Sequence, residues 1–105
     1  MPKILYNVTV KIDRNVHHDW LQWMQSVHIP DVMKTEMFLQ YKMTKILGDD
    51  DEQGHSYAIQ YVAESMEKFN AYQIFHAPRL QKMHAERYPN QYVAFRTLME
   101  IVAEG

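Results

Sequence analysis

Histidine stands two residues before proline in two matching phrases, VHIPDVM from Val27 to Met33 and FHAPRLQ from Phe75 to Gln81. A neutral imidazole near pH 7 is a general base and a proton shuttle. His28 and His76 are therefore the candidate catalytic residues. The same positions also suit a structural task. A histidine at a helix end can bond the last carbonyls, and its cation is favoured by the helix dipole. The repeated phrase reads mainly as a helix-stop device that also places two histidines at the mouth of a cleft. His28 is the first choice for chemistry, because helical spacing sets it beside His17, Leu21 and Met24, at the rim of a tryptophan stripe.

The aromatic residues are the second constellation. Trp20 and Trp23 make either a core stripe or an aromatic ligand box. Of seven tyrosines, Tyr6, Tyr41, Tyr57, Tyr61 and Tyr72 fall on positions expected to face the helices. Each buried hydroxyl needs a partner, so this set predicts a polar-lined, partly wet pocket rather than a dry core. The ligand-binding candidates are Trp20, Trp23, Tyr41, Tyr57, Tyr61 and Tyr72. No metal site is expected. Six histidines are present, but no two have the i, i+4 spacing of a helical chelate, and adjacent His17 and His18 diverge on a helix. Asp49-Asp50-Asp51-Glu52 lacks the alternating oxygen ligands of a calcium loop and reads as a solvated hairpin tip.

Bulk composition excludes several classes. The 105 residues are 47% apolar with a formal charge of −2, which fits one globular domain, residues 1–105, and argues against a nucleic-acid footprint. The absence of cysteine rules out disulfides, zinc thiolates and a Cys nucleophile. The start, MPKILYNVTVKID, does not read as a signal peptide, and no apolar run approaches the ~20 residues of a membrane span. A cytoplasmic location is the simplest expectation. No P-loop, dinucleotide glycine pattern or Ser-His-Asp signature is present, and no cofactor is implied.

Six elements must position these residues. ILYNVTVKI alternates, with Tyr6, Val8, Val10 and Ile12 on one face, and predicts a strand over 4–12. Asp13 or Asn15 can cap the helix that follows. In that helix Val16, Trp20, Trp23 and Val27 fall within about 60° of one another. It should stop near His28, because Ile29 precedes Pro30. A second strand is expected over Met37–Leu47, with Met37, Leu39, Tyr41 and Met43 facing the helices. A third over Tyr57–Ala63 pairs with it as a hairpin. Ser65 is the next N-cap, followed by Met66, Phe69, Tyr72 and His76, a break at Ala77-Pro78, and a further turn with Leu80 and Met83 inward. Tyr92–Val102 is the fourth strand.

The order βαββαβ predicts an α+β, ferredoxin-like fold: a four-stranded antiparallel sheet with helices on one face. The opposite face, with Asn7/Thr9/Lys11, Phe38/Gln40/Lys42 and Ala58/Gln60/Val62, is neither polar nor apolar. On the fourth strand Arg96, Leu98 and Glu100, or their neighbours, are expected there. Two such faces stacked about a two-fold axis predict a homodimer through the sheet, with Arg96 and Glu100 pairing inside it.

The phrases WLQWMQSVHIPDVM, YAIQYVAES and FRTLMEIV resemble the bacterial domain-of-unknown-function family DUF4286 over nearly the whole chain. That family is similar to the dimeric α+β barrel superfamily. The resemblance implies a ferredoxin-like protomer, a homodimer and a cleft between sheet and helices. Members of the superfamily include cofactor-free monooxygenases, isomerases, haem-degrading enzymes, dye-decolouring peroxidases and non-catalytic ligand binders, so the fold alone does not choose. Haem-degrading members carry an Asn on the first strand and a Trp and a His on the second main helix. Here Asn7 and either His76 or His84 stand in those elements, but Tyr72 replaces the Trp and Asn7 has the parity opposite to the core set. Three readings follow: a binder of a small apolar or aromatic molecule in the cleft; a cofactor-independent monooxygenase or isomerase with a His base; and a non-catalytic dimer whose cleft is filled by its own side chains.

Overall fold

A computed structural model describes residues 2–105. Strands β1 (Ile4–Asp13), β2 (Gln40–Lys45), β3 (Gly54–Ala63) and β4 (Tyr92–Glu100) form one sheet in the order β2-β3-β1-β4. All three pairings are antiparallel. Helices α1 (His17–Trp23) and α2 (Ile29–Met33) lie in the first crossover, α3 (Met66–Phe75) and α4 (Ala77–Arg87) in the second. This is the ferredoxin-like α+β fold expected from the element order. Among the described residues no helix is long and apolar enough to cross a membrane.

Ser65 caps α3 as expected, whereas Asp13 caps a short 3-10 turn, Arg14–Val16, that precedes α1, and α1 itself has no side-chain cap. The Asp13 carboxylate accepts from the Asn15 amide at 2.8 Å, and the Ser65 hydroxyl accepts from the Lys68 amide at 3.2 Å. Register then decides which side chains meet. Tyr6 is opposite Tyr61 and Leu98, and Val8 is opposite Ile59 and Arg96. The helix-facing layer therefore runs through Tyr6, Val10, Ile59 and Tyr61, all buried. Phe69, Tyr72 and Leu80 cover it from α3 and α4.

The first helical crossover departs from expectation. It does not stop at His28. A π-helical turn over Met24–His28 joins α1 to α2, and the Ile29 amide donates to the Met24 carbonyl five residues back. The wider turn leaves room for the Pro30 ring, which would clash with a regular helix. Ile29 and Val32 are fully buried, and burial of such side chains is worth roughly 1.5–3 kcal/mol each. That gain outweighs the pre-proline preference for extended backbone.

Three side-chain assignments are also corrected. Phe38, not Leu39, is buried. The chain enters β2 only at Gln40, and Phe38 turns inward to stack beside Tyr6 and Tyr61. In α4 the inward residue is His84, while Met83 is exposed. Helix α3 ends at Phe75, His76 leaves helical geometry, and α4 restarts at Ala77. The restart resets the phase to Ala77, Leu80 and His84. Arg96, expected on the open face, is on the helix-facing side, because it pairs with Val8. Val93, Phe95 and Met99 occupy the open face instead.

The acidic hairpin tip is tied down. Asp51 pairs with Lys11 at 2.6 Å and Asp50 with Lys45 at 3.0 Å. Asp49 accepts a short hydrogen bond from the Ser56 hydroxyl.

Candidate functional site

A narrow cavity of about 40 Å³ lies between the helix-facing side of the sheet and the helices. That is room for a few water molecules. Val8, Val10, Ile59 and Leu80 supply apolar wall, and the polar groups come from His28, His84, Gln81, Arg96 and the tyrosines Tyr6, Tyr61, Tyr72 and Tyr92. Arg96 is the exposed member of the lining and stands at the mouth.

The π-helical turn carries His28 to this wall. Its ring stacks on Trp23, with centroids 5.0 Å apart. Burial pushes its pKa down to about 4; Asp31 opposes the shift and Arg96 adds to it. His84 comes from the third turn of α4. The Trp20 indole N–H donates to His84 Nε2 at 2.9 Å. An acceptor at Nε2 assigns the proton of the neutral ring to Nδ1. Burial lowers the His84 pKa to about 4, with smaller contributions from His28 and Arg96. The two imidazole centroids are 5.6 Å apart, so both rings are neutral at pH 7 within one cleft.

The tyrosines supply hydroxyls. Burial raises the Tyr6 pKa above its ordinary value, opposed by Arg96 and by hydrogen bonds to Arg96 and Gln81. Tyr72, with its ring 6.0 Å from Tyr6, is raised further by burial, as is Tyr61. All three remain protonated donors at neutral pH. Among the described residues Arg96 is thus the one charged side chain lining the cavity, beside neutral histidines, phenols and an amide. Such a constellation can bind a small polar molecule, accept a proton at His28, and donate hydrogen bonds to a developing oxyanion.

The structure gathers some of the sequence-derived candidates and disperses others. His28, Tyr61 and Tyr72 line the cavity. Trp20 and Trp23 stand behind it, holding His84 and His28. Tyr57 is bonded to His17 across 2.7 Å, and His17 stacks on His55 at 4.0 Å, so His17 is not beside His28. Tyr41 is half exposed on edge strand β2. His76 lies in a separate surface groove with Asp31, Lys34 and Arg79. Asn7 is on the open face, donating to Thr9 at 2.9 Å. Sequence reasoning missed His84, Gln81 and the orientation of Arg96. Both parities of the fourth strand carry large apolar residues, so no local signal gave the last. Among the described residues no three His, Cys, Asp or Glu side chains converge as metal ligands.

The family model described as "Domain of unknown function (DUF4286)" matches residues 3–102. No curated protein matches the sequence. Solved structures share the fold at low identity. A dimeric ferredoxin-like protein from an uncultured marine organism is 13% identical with a TM-score of 0.70, covering 97% of each chain. An EthD-like protein from Ralstonia eutropha is 15% identical, TM-score 0.70, covering 100% of this chain and 96% of its own. SnoaB, a cofactor-independent oxygenase from Streptomyces nogalater, is 10% identical, TM-score 0.68, covering 99% of this chain and 97% of its own.

Proposed function

The chain belongs to the DUF4286 family, and on that premise we propose that it binds a small, partly apolar or aromatic molecule in the cleft between sheet and helices. The observation that carries this reading is the convergence of Arg96 with neutral His28 and His84 in a cleft walled by aliphatic side chains and tyrosines. Small-molecule sites have this composition: mostly apolar surface with a few convergent polar groups. Arg96 is exposed and Gln81 half-buried in the lining, and a ligand larger than water requires such side chains to move.

A catalytic version of the same site uses His28 as general base with Tyr6, Tyr72 and His84 as donors. The similarity in fold to a cofactor-independent oxygenase supports that class. A base with a pKa of about 4 is weak at neutral pH, because general bases work best near the operating pH. Binding is therefore the leading reading, and catalysis requires a ligand that raises the His28 pKa.

The second part of the proposal is a homodimer through the open sheet face. Val93, Phe95 and Met99 present apolar side chains there, and an apolar face of this kind is normally covered. The similar marine protein is described as dimeric.

Thermal shift against small aromatic acids, quinols, fatty acids and haem tests the binding site. Ligand at about a hundred times Kd stabilises by about 2.7 kcal/mol, a rise of roughly ten degrees for a domain of this size. Loss of the shift in His28→Ala and Tyr72→Phe puts the ligand in the cleft. Hits that ignore both substitutions, or a flat response across the panel, overturn it.

A further inference from the structure

We infer that the ligand of this cleft is an anion, a small molecule whose carboxylate or other resonance-stabilised oxyanion is held by Arg96 at the mouth with the Nδ1–H of His84 behind it. The inference rests on the binding site proposed above and names its ligand class.

Four features of the cleft lead there. Arg96 takes part in none of the ion pairs among the described residues. Arg87 is the contrast: its guanidinium meets Asp19 at 3.3 Å and donates to the Tyr88 hydroxyl at 3.1 Å. No Asp or Glu lines the cavity, so nothing in the wall neutralises Arg96. The groups beside it are donors. Tyr6 and Tyr72 keep their phenolic protons, Gln81 offers an amide, and Trp20 fixes the His84 tautomer by occupying Nε2. The site thus carries one positive charge and several N–H and O–H groups able to donate, inside a chain whose formal charge is −2.

Electrostatics then selects the ligand. A cationic ligand meets Arg96 without a carboxylate to offset the repulsion. A neutral carbonyl can accept from the guanidinium, but it leaves the positive charge uncompensated. An oxyanion matches the planar fork of arginine and gains charge-assisted hydrogen bonds. It also favours the cationic form of His28 and moves that ring toward working pH.

The test compares near-isosteric pairs in which an anionic carboxylate is replaced by a neutral carboxamide: benzoate with benzamide, and isobutyrate with isobutyramide. Binding is followed by the amide and imidazole NMR signals of His28, His84 and Tyr72 in the full chain. In each pair the acid is expected to bind at least about tenfold more tightly, the difference set by one charge-assisted contact. Arg96→Gln removes the preference while leaving weak binding of the amides. Arg96→Lys, which keeps the charge and loses the fork, retains part of it and controls for folding. Equal binding of acid and amide, or a preference that survives Arg96→Gln, overturns the anion while leaving the cleft as a site. No perturbation of the cleft signals by any of the four probes at millimolar concentration overturns the site itself, and the anion with it.

Discussion

The Trp20 indole N–H donates to His84 Nε2 across 2.9 Å, and both residues are buried. The bond joins the first helical crossover to the second through the core. It also decides what His84 shows to the cleft: a donor at Nδ1. Trp20→Phe keeps an aromatic ring and removes the donor. It leaves His84 Nε2 unpaired and some volume empty, which together cost about 2–4 kcal/mol. Long-range nitrogen–carbon correlation NMR should report Nδ1–H in the natural protein and a mixed or inverted tautomer in the variant. An unchanged tautomer would show that Trp20 does not set it.

Gly54 opens β3 opposite Asp13 of β1. A β-carbon there would sit 2.1 Å from the Ile12 carbonyl oxygen, and backbone cannot yield as a side chain can. Gly54→Ala is expected to destabilise by roughly 3 kcal/mol or more, within the range of severe single substitutions. It should also loosen the Asp51 turn, whose carboxylate accepts from the Gln53 and Gly54 amides at 2.8 and 3.0 Å. Urea unfolding measures the first effect. A loss under about 1 kcal/mol would mean that the strands part easily at this end.

These two sites mark what the sequence made legible. Period-two alternation identified β1 and β3, and Asp13 and Ser65 announced the helix starts, because those signals are local. The orientation of Arg96 is not local. In YVAFRTLMEIV both parities carry large apolar residues, Tyr92 and Leu98 on one side and Val93, Phe95 and Met99 on the other. Only pairing with β1 chooses between them, and that choice turned Arg96 from a supposed interface residue into the charged group of the cleft. His84 was hidden for a similar reason. Its inward position depends on the phase reset at His76, which the identity of Pro78 suggests but does not quantify. Pro30 misled because a wider helical turn, stabilised by burial of Ile29 and Val32, absorbed it.

Phe95 is exposed at the centre of the open face of β4. If two sheets stack there, a lysine at this position places a cation against apolar surface and against its own symmetry mate. Phe95→Lys is expected to halve the mass seen by light scattering or sedimentation, with the fold retained in circular dichroism. A stable interface buries about 1,200–2,000 Å² in total, so one central charge is enough to shift the equilibrium at micromolar concentration. An unchanged mass, or a natural protein that is already monomeric, would remove the sheet-face dimer.

Acid should unfold this protein earlier than its carboxylates alone would require. His28 and His84 are each lowered from 6.5 to about 4 in the folded state, by burial above all. The unfolded chain therefore binds protons between pH 6.5 and 4 that the folded chain does not. Stability from these groups is complete above pH 6.5 and is lost as the pH falls toward 4. Each histidine accounts for on the order of 2–3 kcal/mol over that window, with His28 at the lower end because solvent reaches part of it. At His28, Asp31 works against the shift and Arg96 reinforces it; at His84, His28 and Arg96 both reinforce it. His17, lowered by burial and by His55 and Lys45, adds in the same direction. Asp19, Asp50 and Asp51, held below the usual carboxylate range by Tyr88, Lys45 and Lys11 respectively, lose their contribution only at lower pH. Urea midpoints measured at half-unit intervals should fall steeply below pH 6.5, and the double variant His28→Gln/His84→Gln should flatten that fall. An oxyanion bound at Arg96 should flatten it as well, since it favours the cationic imidazole in the folded state. A midpoint constant down to pH 4.5 would place both rings in contact with bulk water and dismantle the electrostatic picture of the cleft.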